Sequence, residues 1–276
     1  MGATFGAKSN MSIGNTSGMG KEASFDISKM GVEYDIEAYI DSVLIWKKKA
    51  FNLITTVGAK QILMNLMPAS EAAITSWYIS LIAATSGQQT TGSTTASSTT
   101  LTLATAFGTE GVVGQVITVV GAGASGGNLV TTIASITSTT VYVLATAAST
   151  ATSGAACILG PVMAVADTSA SHSGWVEVTT SQVTQTVRAS FTVADVSTSG
   201  NNAIKTNSAS PAVYNGNTPT WWMTGVFLAS SDVFASTTDT LLSEAAFDSS
   251  ASPPGASQIT SGMTLNITAT FTAVAS

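Results

Sequence analysis

Val32-Glu33-Tyr34-Asp35-Ile36-Glu37-Ala38-Tyr39-Ile40-Asp41-Ser42-Val43-Leu44-Ile45-Trp46-Lys47-Lys48-Lys49 is the stretch on which the fold turns. Val32, Tyr34, Ile36, Ala38 and Ile40 alternate with Glu33, Asp35, Glu37, Tyr39 and Asp41. A period of two residues gives a pleated strand one apolar and one acidic face. Glu33, Glu37 and Asp41 also share a helical face, so a helix stays open as an alternative. A hairpin is the preferred reading. Asp41-Ser42 supplies its turn, Val43-Leu44-Ile45-Trp46 opens the return strand, and the lysines that follow face the acids across the ladder. The lysine run itself reads as a solvated strand end or a salt-bridge partner.

Before this stretch, residues 1–30 are rich in Gly, Ser, Asn and Met and hold no sustained period. They read as an N-terminal arm that is ordered, if at all, by lying on a partner. After it, the spacing of Ala59, Ile62, Leu63 and Leu66 predicts a helix over Thr56–Met67, capped by Thr55 or Thr56 and stopped before Pro68. Trp77–Ile82 reads as a buried strand. Residues 86–160 differ in kind, because Ser and Thr saturate them and Glu110 is the only charged residue between Glu71 and Asp167. Four strands are expected there, at Thr99–Leu103, Gln115–Val120, Val130–Ile136 and Thr140–Ala145, making a small β module inserted into a host domain. The host, residues 31–85 with 161–276, resumes with strands at Trp175–Val178, Gln185–Val193, Trp222–Leu228, Thr240–Phe247 and Met263–Ala273. In the last of these, Leu265, Ile267, Ala269 and Phe271 share one face. The fold class expected is all-β: mainly an antiparallel β-sandwich, jelly-roll-like, with one short helix, an extended arm and the inserted module.

Composition narrows the function. Among 276 residues, 45% are apolar and only 9% charged, against about 25% charged in an average globular chain. Mean hydropathy is +0.36, so a core can form and the exterior must be built from Ser, Thr, Gly, Asn and Gln. Nine basic residues against 15 acidic ones leave a net charge of −6, which cannot supply a phosphate-binding stripe, so nucleic acid is not an expected partner. No stretch approaches the roughly 20 continuous apolar residues of a membrane span. The single cysteine, Cys157, excludes an intramolecular disulfide framework and sits among Ala155, Ala156, Ile158 and Leu159 as a small buried hydrophobe.

Chemistry is hard to find in the chain. Gly121, Gly123 and Gly126 match the dinucleotide-binding glycine pattern after a strand. The following Asn128–Ile133 is β-like, and no acid stands near the required distance, so the match reads as a turn. The only histidine, His172, lies in a polar loop; a pairing with Ser169 or Ser171 has no nucleophile-elbow motif behind it. One His and one Cys cannot make the usual zinc set, and no metal or cofactor is expected. Glu177, Asp195 and Glu244 are the acids from which a glycoside-cleaving pair would be drawn, but nothing around them separates acid from base, and the plainer reading is isolated acids on a β surface. No catalytic residue is assigned. Aromatic position instead singles out Phe5, Phe25, Trp46, Trp221 and Trp222 as candidate interface residues. Trp221 and Trp222 are adjacent, so in a strand their rings point to opposite faces: one into the core, the other outward or into a partner.

Several segments resemble small virion proteins of tailed bacteriophages. They are Asn52–Gly58 with the helix and Trp77–Ile82, then Gly174-Trp175-Val176-Glu177, Arg188, Gly225–Ser231, Leu241–Phe247 and Gly262–Phe271. Residues 113–136 are similar to small β units of phage tail and fibre proteins. The resemblance implies a non-enzymatic structural protein of the virion, assembled in the bacterial cytoplasm. It would be a capsid decoration or cement protein that associates with itself as a trimer and with the major capsid protein or other virion subunits. A head or tail fibre or adaptor at a vertex, touching host glycan, is the alternative.

Overall fold

The computed structural model describes residues 30–66, 74–109, 111–172, 174–192, 197–199, 202–217, 219–248 and 251–274. It opens with the hairpin, β1 (Met30–Ile40) and β2 (Val43–Phe51), and the helical alternative falls away. Asp41 and Ser42 form the turn with φ of 48° and 66°, the doubly positive geometry whose twist suits a two-residue hairpin loop. Glu37 stands opposite Lys47, Asp35 opposite Lys49 and Glu33 opposite Phe51. Lys47 Nζ donates to Glu37 Oε1 at 2.8 Å, and Lys49 pairs with Glu33. These pairs are part-exposed, so each contributes about 1 kcal/mol at most. Their service is to register. Val32, Tyr34, Ile36 and Ala38 are buried on the other face.

Next come β3 (Leu53–Ile54), α1 (Thr56–Leu66) and β4 (Tyr78–Ala83). Thr55 caps the helix: its Oγ1 accepts the Gly58 N–H at 3.0 Å and donates to the Leu241 carbonyl at 2.5 Å. The inward face differs from the expected one. Gly58 and Gln61 are buried and Ile62 packs on the core, whereas Leu63 is 41% exposed. The reason is close approach, for a Cβ on Gly58 would stand 2.1 Å from the Leu242 carbonyl oxygen. The helix lies on the strand through its glycine, which rotates Leu63 outward.

After β4 the chain builds β5 (Gln89–Thr94), β6 (Thr100–Leu103), β7 (Val116–Val119), β8 (Leu129–Ser138), β9 (Val141–Leu144) and β10 (Thr152–Leu159). They close into an antiparallel barrel in the order β10-β5-β6-β9-β8-β7, which leaves no open sheet edge. The four expected strands correspond to β6, β7, β8 and β9. The two that complete the barrel, β5 and β10, pair with each other. Leu101, Ile117, Val119, Ile133, Tyr142 and Cys157 are among the side chains filling it.

The chain then returns to the frame through β11 (Val176–Glu177), β12 (Ala189–Ser190), β13 (Ser197–Ser199), β14 (Asn202–Thr206), β15 (Ala212–Asn215), β16 (Trp221–Ala229), β17 (Leu241–Ala246), β18 (Ser257–Ile259) and β19 (Thr264–Val274). β11 pairs with β4, so the chain leaves for the barrel and re-enters at neighbouring strands. One sheet runs β13-β14-β19-β1-β2 with β15 also on β19; the other runs β11-β4-β16-β17-β3, with β12 also on β4 and β18 also on β16. All pairings are antiparallel. Alternate residues of both sheets form one core: Tyr34, Ile36, Leu265 and Ile267 from the first, Ile79, Leu81, Val226 and Ala245 from the second. Two tyrosines cross it, with the Tyr34 hydroxyl 2.6 Å from Ser243 Oγ and the Tyr214 hydroxyl donating to the Ile79 carbonyl at 2.7 Å. Of the expected strand over Gln185–Val193, whose last residue lies outside the described residues, Ala189–Ser190 forms β12, while Arg188 turns inward to an ion network.

Gly58→Ala tests the helix contact. In an exposed helix the change gains about 1 kcal/mol. Here it is expected to cost about 1–3 kcal/mol through overpacking, read as a lower urea midpoint.

Candidate functional site

Of the three acids picked out by the sequence, Asp195 lies outside the described residues, and neither of the others is an isolated acid on a β surface. Glu177, in β11, is buried because its charge is met in place. Arg188, the only arginine in the sequence, donates from Nε to Glu177 Oε1 at 2.7 Å and from Nη2 to Oε2 at 2.9 Å. Ser80 Oγ adds a bond to Oε1 at 2.5 Å and the Ala235 N–H one to Oε2 at 2.7 Å. Nη1 of Arg188 donates to the Ser231 carbonyl at 3.0 Å and pairs with Asp239. The guanidinium stands 5.1 Å from the centre of the Phe227 ring. Burial alone would lower the Arg188 pKa; Glu177 and Asp239 outweigh it and hold it above its ordinary value. Glu177 therefore accepts four donors. The network clamps β4, β11, the approach to β12 and the 230–239 loop.

Glu244, in β17, is fully buried. Its Oε2 accepts the Trp175 indole N–H at 2.9 Å, and that N–H also lies 3.3 Å from Asp167 Oδ2. Burial first, and the Asp167 carboxylate second, push Glu244 up to about 8, so it carries a proton at neutral pH. His172 stacks on the Trp175 indole, ring centres 3.9 Å apart, with Nδ1 3.1 Å from the Trp175 carbonyl. The Ser169 hydroxyl is buried and has no hydrogen-bond partner among the described residues, His172 included. Among the described residues no group of three or more His, Cys, Asp or Glu side chains is placed to hold a metal ion.

The third cluster joins frame to barrel. Trp221 is buried in the frame core, with its indole N–H unpartnered among the described residues, and Trp46 packs against that core from β2. Trp222 points to the other face, as strand geometry requires. There it packs against a cluster of Ala84, Ala256 and, from the barrel, Ile158, on which Val120 and Ala156 also pack. Phe5 and Phe25 lie outside the described residues. The lysine run divides: Lys47 and Lys49 join the exposed ladder, but Lys48 is buried, which corrects the solvated reading. Its Nζ donates to the Pro253 and Gly255 carbonyls at 2.7 and 2.6 Å and lies 4.7 Å from the Phe247 ring centre. Burial lowers its pKa to about 8. The Ala256 N–H then donates to Thr118 Oγ1 of the barrel at 2.9 Å. The glycine pattern forms the turn between β7 and β8, with φ of 77° at Gly121 and 78° at Gly126. Gly123 of that turn, Asn128, Ser149, Lys48, Pro253 and Ser257 line a cleft of about 440 Å³ at the junction.

Sequence reasoning missed the Arg188–Glu177–Asp239 network and the burial of Lys48, and only the solitary state of the arginine could have pointed to the first. It also passed over the exposed apolar run Val43-Leu44-Ile45 on β2. Comparison with protein-family models, with curated proteins and with solved structures finds no match to this chain. The described helix is not long and apolar enough to cross a membrane.

Two measurements check these clusters. Arg188→Met leaves two buried carboxylates without a counter-charge and is expected to cost about 3–5 kcal/mol in chemical denaturation. Glu177→Gln, which leaves Arg188 paired with Asp239, is expected to cost less. For Glu244, the folded pKa is raised from 4.5 to about 8, so its contribution to stability is full below the lower value and is lost as pH rises toward the upper one. The melting temperature is expected to fall between pH 5 and pH 7.5, a window below the Lys48 transition. Glu244→Gln, which keeps an acceptor for Trp175, is expected to flatten that fall, a difference of roughly 2–4 kcal/mol.

Proposed function

We propose that this chain is a structural subunit of a tailed-phage virion: a capsid decoration or cement protein that acts by packing against copies of itself, as a trimer, and against shell subunits. The two sheets sharing one core are read as a β-sandwich of jelly-roll-like kind over residues 31–85 and 161–276. The barrel over 86–160 is read as an insert facing outward, and residues 1–30 as an arm that reaches neighbouring subunits. The carrying observation is a contrast within one molecule. The barrel has no open sheet edge, while the frame ends on β2, a terminal strand with three consecutive exposed apolar residues. A patch of that kind marks a contact surface.

The reading has further support. Segments that resemble phage virion proteins map onto packing elements: Leu241–Phe247 onto β17, Gly225–Ser231 onto β16 and Gly262–Phe271 onto β19. Two of the three acids from which a glycosidase pair would be drawn are otherwise engaged, Glu177 in an ion network and Glu244 by an indole N–H. Low charge suits surfaces that stay covered, because few ions must be desolvated.

Copy number per assembled particle, measured by mass spectrometry against the major shell protein, tests the proposal. On the order of hundreds of copies is expected for a decoration protein that follows the shell symmetry. A copy number in the tens or below moves the chain to a vertex as a fibre or adaptor. Absence from purified particles overturns the proposal.

A further inference from the structure

The outer edge of β2 is used at one place among the described residues. Lys49 and Ser252 exchange two backbone hydrogen bonds there, at 2.8 and 2.9 Å. From Lys49 toward the turn, β2 pairs only with β1. Val43, Leu44 and Ile45, in that open part, are 62%, 49% and 48% exposed. An uncovered apolar edge is a template for an added strand.

The chain itself carries a segment that fits. Ala23, Phe25 and Ile27 alternate with Ser24, Asp26 and Ser28, the period of a strand with one apolar face. The alternation is out of step with β1, whose buried residues are the even-numbered Val32, Tyr34, Ile36 and Ala38. Carried backward from β1, that parity would turn Phe25 and Ile27 away from the core, so the segment reads as a strand of its own. Reach then decides which copy it serves. Val43 pairs with Ile40, at the far end of β1 from Met30, a separation of about 33 Å at a rise of about 3.3 Å per residue. Phe25 is tethered to Met30 by five residues, which span at most about 18 Å when fully extended. Phe25 therefore cannot reach the open edge of its own copy.

We propose that the edge Val43–Lys47 of one copy, bulged at Ile45, takes the 23–27 segment of a second copy as an added β-strand, with Phe25 and Ile27 covering the exposed Val43-Leu44-Ile45 run. Backbone hydrogen bonds hold the strand and the alternate side chains select it. The contact joins two different surfaces, so it is head-to-tail; repeated about the threefold axis of the trimer proposed above, it closes into a ring. The inference rests on the self-association proposed above and names its contact.

Cysteine cross-linking of full-length copies tests it. Cys157 is buried and its thiol is pushed up to about 12, so it stays silent. Phe25→Cys copies are mixed with isotope-labelled copies carrying Val43→Cys or Ile45→Cys, oxidised mildly, and the linked peptides are read by mass spectrometry. Sedimentation gives the mass of the wild-type chain in parallel. Mixed-label linked peptides at least about tenfold above those of any single variant alone are expected from the high local concentration of a docked strand. An oligomer without the cross-link overturns this contact and leaves self-association standing. A monomer overturns both. A link formed only within one copy of a Phe25→Cys/Ile45→Cys chain shows the arm folding back and overturns the assignment to a second copy.

Discussion

The frame depends on β1 being held in register between β2 and β19, with one bulge, at Ile45 of β2. From Val32 to Tyr39, Val32, Tyr34, Ile36 and Ala38 enter the shared core, while Glu33, Asp35, Glu37 and Tyr39 carry a charge or a hydroxyl on the outer face. A slip of one residue would drive Glu33, Asp35 and Glu37 inward and turn Tyr34 and Ile36 out, at a cost no surface contact could offset. The lysines of β2 contribute little energy, but they disfavour the slipped pairing. The Tyr34 hydroxyl then fixes β1 against Ser243 of the opposite sheet. From this pairing follow the position of the second sheet and the open edge of β2.

Among the described residues the frame buries two basic side chains, Lys48 and Arg188. Each binds segments far apart in the chain. Lys48 holds the 253–255 turn, whose neighbour Ala256 bonds the barrel, and Arg188 gathers Glu177, Ser231 and Asp239. Replacing a buried ion pair by packed apolar groups is often neutral or stabilising. These groups are therefore better understood as fixing which segments meet than as a source of stability. Trp222, wedged between frame and barrel, extends the same arrangement to the junction.

What could be read in the sequence follows from how cleanly each element alternates. β1 and β19 show period two over their length, and both were legible, as was the Asp41-Ser42 turn between lysine-bearing and acidic strands. β5 was not, because Gln89-Thr90-Thr91-Gly92-Ser93-Thr94 has no apolar residue. Its inward positions are Gly92 and Thr94, and a Cβ on Gly92 would stand 2.9 Å from Cys157 Sγ. A small barrel needs a thin strand there, and a thin strand looks like a loop. The helix was legible by its Thr55 cap, but its buried face was not, since the Gly58 contact with Leu242 is tertiary. Glu177, Glu244 and Lys48 looked exposed because charge suggests solvent. Their partners, Arg188, Trp175 and the 253–255 carbonyls, are distant in sequence and no local pattern announces them.

The frame and the barrel differ at their edges: one ends on a terminal strand with three exposed apolar residues, the other closes on itself. Cryo-electron microscopy of an assembled tailed-phage particle carrying this chain tests that account most directly. The account predicts density from a neighbouring subunit along Val43–Lys47 of β2, with the barrel projecting away from the shell. A β2 edge open to solvent in the assembled particle, or a barrel buried against the shell with the hairpin outward, would contradict it.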